Sequence, residues 1–155
     1  MPIDIDIAPT PPDDPDALAL IRASHALMSA LFPAEANHAF SVEDLAGPGV
    51  TFLLARDAGT GAALGCGAVA VTGDAAEIKS MFTAEAARGR GVADALLAAL
   101  EARARAEGAA AMRLETGDTL AAARRLYARH GYVERGPFGD YPDHPASIFM
   151  EKRLG

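Results

Sequence analysis

A mixed α+β fold, with a largely antiparallel sheet covered by helices on both faces, is what this 155-residue chain predicts. Three observations carry the prediction. Three strand-like runs follow one another between Val50 and Thr83, separated by turn chemistry and leaving no room for an intervening helix. The segment Gly91 to Glu107 repeats apolar residues at helical spacing. Beyond it the pattern alternates strand, helix, strand, which needs a sheet with helices packed against it.

Taken in order, "IDIDI" (residues 3–7) alternates strictly and reads as a half-buried strand. "APTPPDDP" then blocks both helix and ladder with its prolines and reads as a short connecting loop. Pro15 to Phe32 carries Leu18, Ile21, His25, Met28 and Phe32 on one helical stripe, so the first helix holds a histidine on its apolar face. "SVED" at Ser41 to Asp44 has the form of a capping box opening a short helix that "GPG" stops. "VTFLLARD", "ALGCGAVAVTGD" and "AEIKSMFT" make an antiparallel meander. Val92, Leu96, Leu97, Leu100 and Ala104 then give one apolar helix face, and Gly108 marks its end. "AAMRLET" is a strand, "TLAAARRLYARHG" a helix ended by Gly131, "YVE" a short strand and "SIFMEKRL" the last strand.

The length is that of one domain, and residues 1–155 are read as such. No apolar run approaches the roughly 20 residues that span a bilayer, and the acidic N-terminal stretch does not read as a signal peptide, so a cytoplasmic protein is expected. Cys66 is the sole cysteine, which excludes an internal disulfide and a cysteine-based zinc cluster. No His/Asp/Glu grouping has metal-ligand spacing, and no metal is expected. Fourteen Lys and Arg against 21 Asp and Glu give a net charge of −7, a field that repels nucleic acid and anionic membrane. Yet eight arginines fall between Arg88 and Arg129, so that half can still take a compact anion.

The stretch "ARGRGVADALL" concentrates that possibility. It leaves a strand and opens a helix, where unpaired N–H groups and the positive dipole end converge. Gly89 and Gly91 let the backbone approach a ligand closely, and Arg88 and Arg90 add charge-assisted hydrogen bonds suited to a pyrophosphate. An ordinary surface loop before a helix would look similar in isolation. The lysine of a P-loop and the G-x-G-x-x-G of a dinucleotide fold are both missing.

R-x-x-G-x-A, present as Arg88, Gly91 and Ala93, resembles the pyrophosphate loop of the GNAT acetyltransferases, and "LYARHGY" (Leu126–Tyr132) resembles that superfamily's L-Y-x-x-x-G-F/Y signature. The likeness extends over almost the whole chain. "VTFLLARD", "GCGAVA", "EIKSM", "LETG", "RRLY" and "PFGDYPDHPASIFMEKRL" are similar to the bacterial YsnE-like branch of N-acetyltransferases. The resemblance implies a GNAT acyl-CoA N-acyltransferase fold with a splayed sheet, acetyl-CoA as cosubstrate, and direct transfer of acetyl to the amine of a small molecule. It implies that Met81, Phe82 and Thr83 hydrogen-bond the pantetheine arm, and that the loop Arg88, Gly89, Arg90, Gly91, Val92 and Ala93 holds the pyrophosphate. Where many members carry an Asn ahead of the LY helix, this chain reads "GDTLAAARRLY" and offers no amide. Dimers are frequent among similar proteins, so a homodimer is one expectation.

Amine acetylation needs a base for the amine proton and a proton for the departing thiolate. The resemblance puts Tyr127 near the sulfur as donor. Glu77, in "AEI", resembles the glutamate of the histone acetyltransferases; regular alternation would set Glu77, Lys79 and Met81 on one face, toward the cleft, and Ile78, Ser80 and Phe82 on the other. An ion pair with Lys79 is the structural alternative, and Glu115 on the neighbouring strand is the competing base. His25 and His38 lie in the segment that lines the acceptor side in this superfamily. His130 reads as a helix C-terminal cation, His144 as a loop residue and Cys66 as packing. "GPFGDYPDHP" reads as a loop over the acceptor cleft with Phe138 and Tyr141 as walls. A non-catalytic acyl-CoA-binding sensor of the same fold is the alternative, and it would release no CoA.

Overall fold

β-branched and small residues at two-residue spacing let three long strands pair tightly, and they dominate the computed structural model, which describes residues 4–155. These are β2 (Val50–Asp57), β3 (Ala63–Thr72) and β4 (Ala75–Thr83). With β1 (Ile5–Pro9), β5 (Ala111–Gly117), β6 (Val133–Arg135) and β7 (Ser147–Arg153) they form one seven-stranded sheet in the order β1-β2-β3-β4-β5-β7-β6. The first strand starts two residues later than its alternation suggests and runs into Pro9, which an edge strand tolerates; Ile3 lies outside the described residues.

β4 and β5 are parallel, and pair only from Ala75–Glu77 to Ala111–Arg113. Beyond that the two strands have no register, so the sheet opens in a V. A bulge accompanies the opening. Between the pairs Cys66–Phe82 and Ala68–Lys79, β4 carries one residue more than β3, and Ser80 absorbs it with φ 57°, in the left-handed region.

The four helices are α1 (Pro15–Leu31), α2 (Val42–Leu45), α3 (Val92–Ala106) and α4 (Ala121–Arg129). α1 starts on Asp14, whose carboxylate accepts from the N–H groups of Asp16 and Ala17, with Pro15 at its first position. α2 opens on the capping box of Ser41 and Asp44. On one face of the sheet, Ile21 and Leu45 pack against Phe52, Leu54 and Cys66. On the other, Leu96, Leu97 and Leu100 of α3 are wholly buried against Val69, Ile78, Met112 and Leu114. Each such leucine contributes about 1.5–3 kcal/mol. Phe32, just past α1, lies on Gly117, where a β-carbon would stand 2.0 Å from its ring; nothing larger than glycine fits the end of β5.

Candidate active site

The V between β4 and β5 holds an open cleft of about 130 Å³, lined from both sides of the sheet. Tyr127 of α4 reaches it from the α3 side; His25 of α1, His38 and Glu115 reach it from the α1 side. The two strands join at Ala75–Glu77 and Ala111–Arg113, and the cleft lies beyond that junction.

That loop has the features of an anion cradle. Gly89 and Gly91 sit at φ 78° and 81°, where a side chain would be strained. Gly91 is the N-cap of α3, and no side chain caps the helix, so the first-turn N–H groups around Val92 and Ala93 are left to an external acceptor. Arg88 and Arg90 are exposed beside them; Arg88 donates from Nε to the Thr83 carbonyl at 3.4 Å and stacks over the Phe82 ring. Asp94, a carboxylate in the first turn, is turned aside by His130 Nε2 at 2.7 Å and Arg129 at 2.8 Å. Those hydrogen bonds, His130's first, hold its carboxyl below the usual range. His130 follows the last turn of α4 as its C-cap, and its ring is turned to Asp94 of α3.

The bulge corrects the expected alternation. Glu77 and Lys79 share the α1 face, but Met81 turns to the α3 core with Ile78, and Phe82 joins the α1 side. From Ile78 to Thr83 the edge of β4 facing β5 has no strand partner, so its backbone groups are open to an extended ligand.

Glu77 does not line the cleft. Its carboxylate accepts from the Tyr141 hydroxyl and lies 3.5 Å from Lys79 Nζ, so the ion pair with Lys79 is what the structure contains. Lys79 is buried and spends its remaining N–H groups on Tyr141 Oη at 2.7 Å and the His38 carbonyl at 3.0 Å. It thereby ties β4 to the α1–α2 connection, which lines the cleft at His38, and to the β6–β7 loop, whose Phe138 and Tyr141, expected as walls, do not line the cleft but pack beside Lys79 and Phe149. Phe138, Tyr141 and Phe149 stack edge to face with one another, and burial, then Glu77, pushes the Tyr141 hydroxyl far up. Sequence reasoning saw Lys79 merely as an ion-pair partner; a lysine inside an otherwise apolar strand was the available signal.

Glu115 does line the cleft. Burial raises its carboxyl above the usual range; the Ser147 hydroxyl lies beside it without a well-directed hydrogen bond, and His38 and Lys79 oppose the rise. His38 Nε2 is buried without a partner. His25 uses Nε2 as a donor to the Phe40 carbonyl at 3.0 Å, so its proton is already placed. Burial also raises Tyr127 well beyond its ordinary value, which keeps its hydroxyl protonated. Cys66, wholly buried and pushed up to about 12 by that burial, is no thiolate nucleophile. His144 accepts from the Ala146 N–H in its loop.

The description "Acetyltransferase (GNAT) family" matches residues 19–132. An IAA acetyltransferase of Azospirillum brasilense is 41% identical over 97% of this chain and 98% of its own, and the N-acetyltransferase YsnE of Bacillus subtilis is 37% identical over 82% and 85%. Among solved structures, a Klebsiella pneumoniae protein assigned as an acyl-CoA N-acyltransferase superposes with TM-score 0.82 at 35% identity, over 97% of this chain and 98% of that one. The PaiA N-acetyltransferase of Thermoplasma acidophilum, solved with coenzyme A, shares the fold at TM-score 0.74 and 16% identity, over 97% and 99%. A splayed sheet, an uncapped glycine loop at the start of α3 and these similarities lead to one conclusion: the chain belongs to the GNAT family of acetyl-CoA-dependent N-acetyltransferases.

Proposed function

We propose that this single-domain protein, acting in the cytoplasm without nucleic acid or membrane, acetylates the amine of a small molecule by direct transfer. The observation that carries this reading is one cleft with Glu115 and Tyr127 on its opposite walls, together with the uncapped glycine loop that follows its β4 strand. Arg88, Gly89, Arg90, Gly91, Val92 and Ala93 would hold the pyrophosphate, and the unpaired β4 edge at Met81, Phe82 and Thr83 the extended arm. Acetyl-CoA supplies an activated thioester, so that an N–C bond forms as C–S breaks and the proton nitrogen loses matches the one sulfur gains. Glu115, raised by burial toward the range of a working base, receives the amine proton directly or through water. Tyr127 holds the proton needed by the leaving sulfur. Glu77 supports the acceptor wall through Tyr141 and Lys79 rather than serving as the base.

Calorimetric titration of acetyl-CoA into wild type, Arg88→Ala and Gly91→Glu, beside a thiol-release assay with mixed amines, tests this. Wild type should bind, each variant should bind about 10- to 100-fold more weakly, since a charge-assisted contact or the cradle itself is lost, and wild type should release CoA. Binding without release would favour the acyl-CoA sensor. No binding by folded wild type would overturn both. IAA, named for the Azospirillum relative, belongs in the acceptor panel.

A further inference from the structure

We propose that the acceptor is a primary amine on an uncharged, largely apolar body, with no carboxylate beside the amine, and that Glu115 is the group that docks it. The inference rests on the acetyl-transfer reading of the same cleft and narrows it to a substrate class.

Free capacity for hydrogen bonding decides the matter. Among the described residues lining the cleft Lys79 is the sole lysine or arginine, and it already donates to Tyr141 Oη and the His38 carbonyl and is ion-paired with Glu77 at 3.5 Å. Arg113, two residues before Glu115 on the same strand face, is spent on Glu151 at 2.7 Å. His25 has given its Nε2 proton to Phe40. A carboxylate next to the reacting amine would therefore enter a site that holds Glu115 and, among the described residues lining it, no uncommitted lysine or arginine to receive it. An ammonium meets the opposite situation: Glu115 lines the cleft and takes no well-directed bond from Ser147, so its carboxylate has acceptor capacity to spare. Met28 and Phe32 supply the apolar wall on the α1 side, suited to a hydrocarbon or aromatic body.

Matched pairs test it: phenethylamine with phenylalanine, tyramine with tyrosine, tryptamine with tryptophan. Thiol release gives kcat/KM, and calorimetric titration into the CoA-saturated protein gives acceptor affinity without turnover. The amine of each pair should be favoured at least about tenfold in both readouts. Glu115→Gln should lose at least about tenfold in amine affinity while binding acetyl-CoA as wild type does. Amino acids bound as well as their amines, or Glu115→Gln with wild-type amine affinity, would overturn the proposal. Amines bound in preference but never acetylated would uphold the docking and sink the transfer reading instead.

Discussion

Two Glu–Tyr–Lys clusters lie on opposite faces of the sheet, and they are built in reverse. On the α3 face, Glu101 is 7% exposed and Lys152 23%; Glu101 accepts from Tyr132 Oη and Lys152 Nζ, both at 2.9 Å. On the α1 face, Lys79 is 8% exposed and Glu77 24%, and the partners gather around the lysine instead. In each case the more buried charge is the one fully coordinated, because an unpaired charge out of water costs far more than an exposed one. The difference in site follows from the splay. Glu101 sits where α3 closes on a continuous core, so its cluster braces the fold, with Tyr132 packed edge to face against Tyr127 at 5.6 Å. Lys79 sits where β4 leaves β5, so its cluster frames the substrate opening.

The sharpest way to break that comparison is to remove the more exposed partner of each pair. Lys152→Met leaves Glu101 with Tyr132 Oη and with Arg105 at 3.9 Å, and should cost about 1–3 kcal/mol by chemical denaturation, leaving the acceptor KM where it was. Glu77→Ala leaves Lys79 with Tyr141 and the His38 carbonyl, so it should cost a similar amount, about 1–3 kcal/mol, but raise the acceptor KM as the His38 segment that Lys79 holds against the cleft loosens. Equal effects of both variants on acceptor KM would erase the distinction between brace and frame.

Tyr127→Phe comes next. It removes a hydroxyl and keeps the ring against Tyr132, so acetyl-CoA affinity should hold while kcat falls about 10- to 100-fold, read in single-turnover experiments. Because burial pushes this phenol far up, no titration of Tyr127 should appear in the pH–rate profile over neutral pH.

The smallest expected effect is on stability. Glu115 has a raised folded-state pKa, so the folded protein binds its proton more tightly than the unfolded chain does, and stability is lost as pH rises from the ordinary carboxylate range through that raised value. Glu115→Gln should therefore raise Tm modestly at pH 7 and leave it unchanged below about pH 4, near the ordinary glutamate value, while losing amine affinity. A lower Tm at pH 7 would mean that Glu115 is stabilised as a charge, contrary to its burial.

Much of the site was legible because its donor half is local. Arg88 to Ala93 is contiguous, its glycines need left-handed backbone, and the strand-to-helix transition shows in hydrophobic period alone. The acceptor half was harder to read. Alternation assumes a regular strand, and the extra residue at Ser80 reverses the faces of Met81 and Phe82; no residue type announces a bulge there. The choice between Glu77 and Glu115 was likewise closed to sequence, since it depends on which carboxylate Tyr141 reaches.

What the sequence determined by itself was the order of elements, the capping of α1 and α2, the glycine loop and the membership these motifs imply, because periods of two and 3.6 residues and short motifs are local properties of the chain. Tertiary structure alone decided the roles around the cleft. Lys79 meets His38 across 41 residues and Tyr141 across 62, and such contacts exist only once the sheet has closed. Burial, which sets the protonation of Glu115 and Tyr127, is a property of that closed packing and of no segment within it.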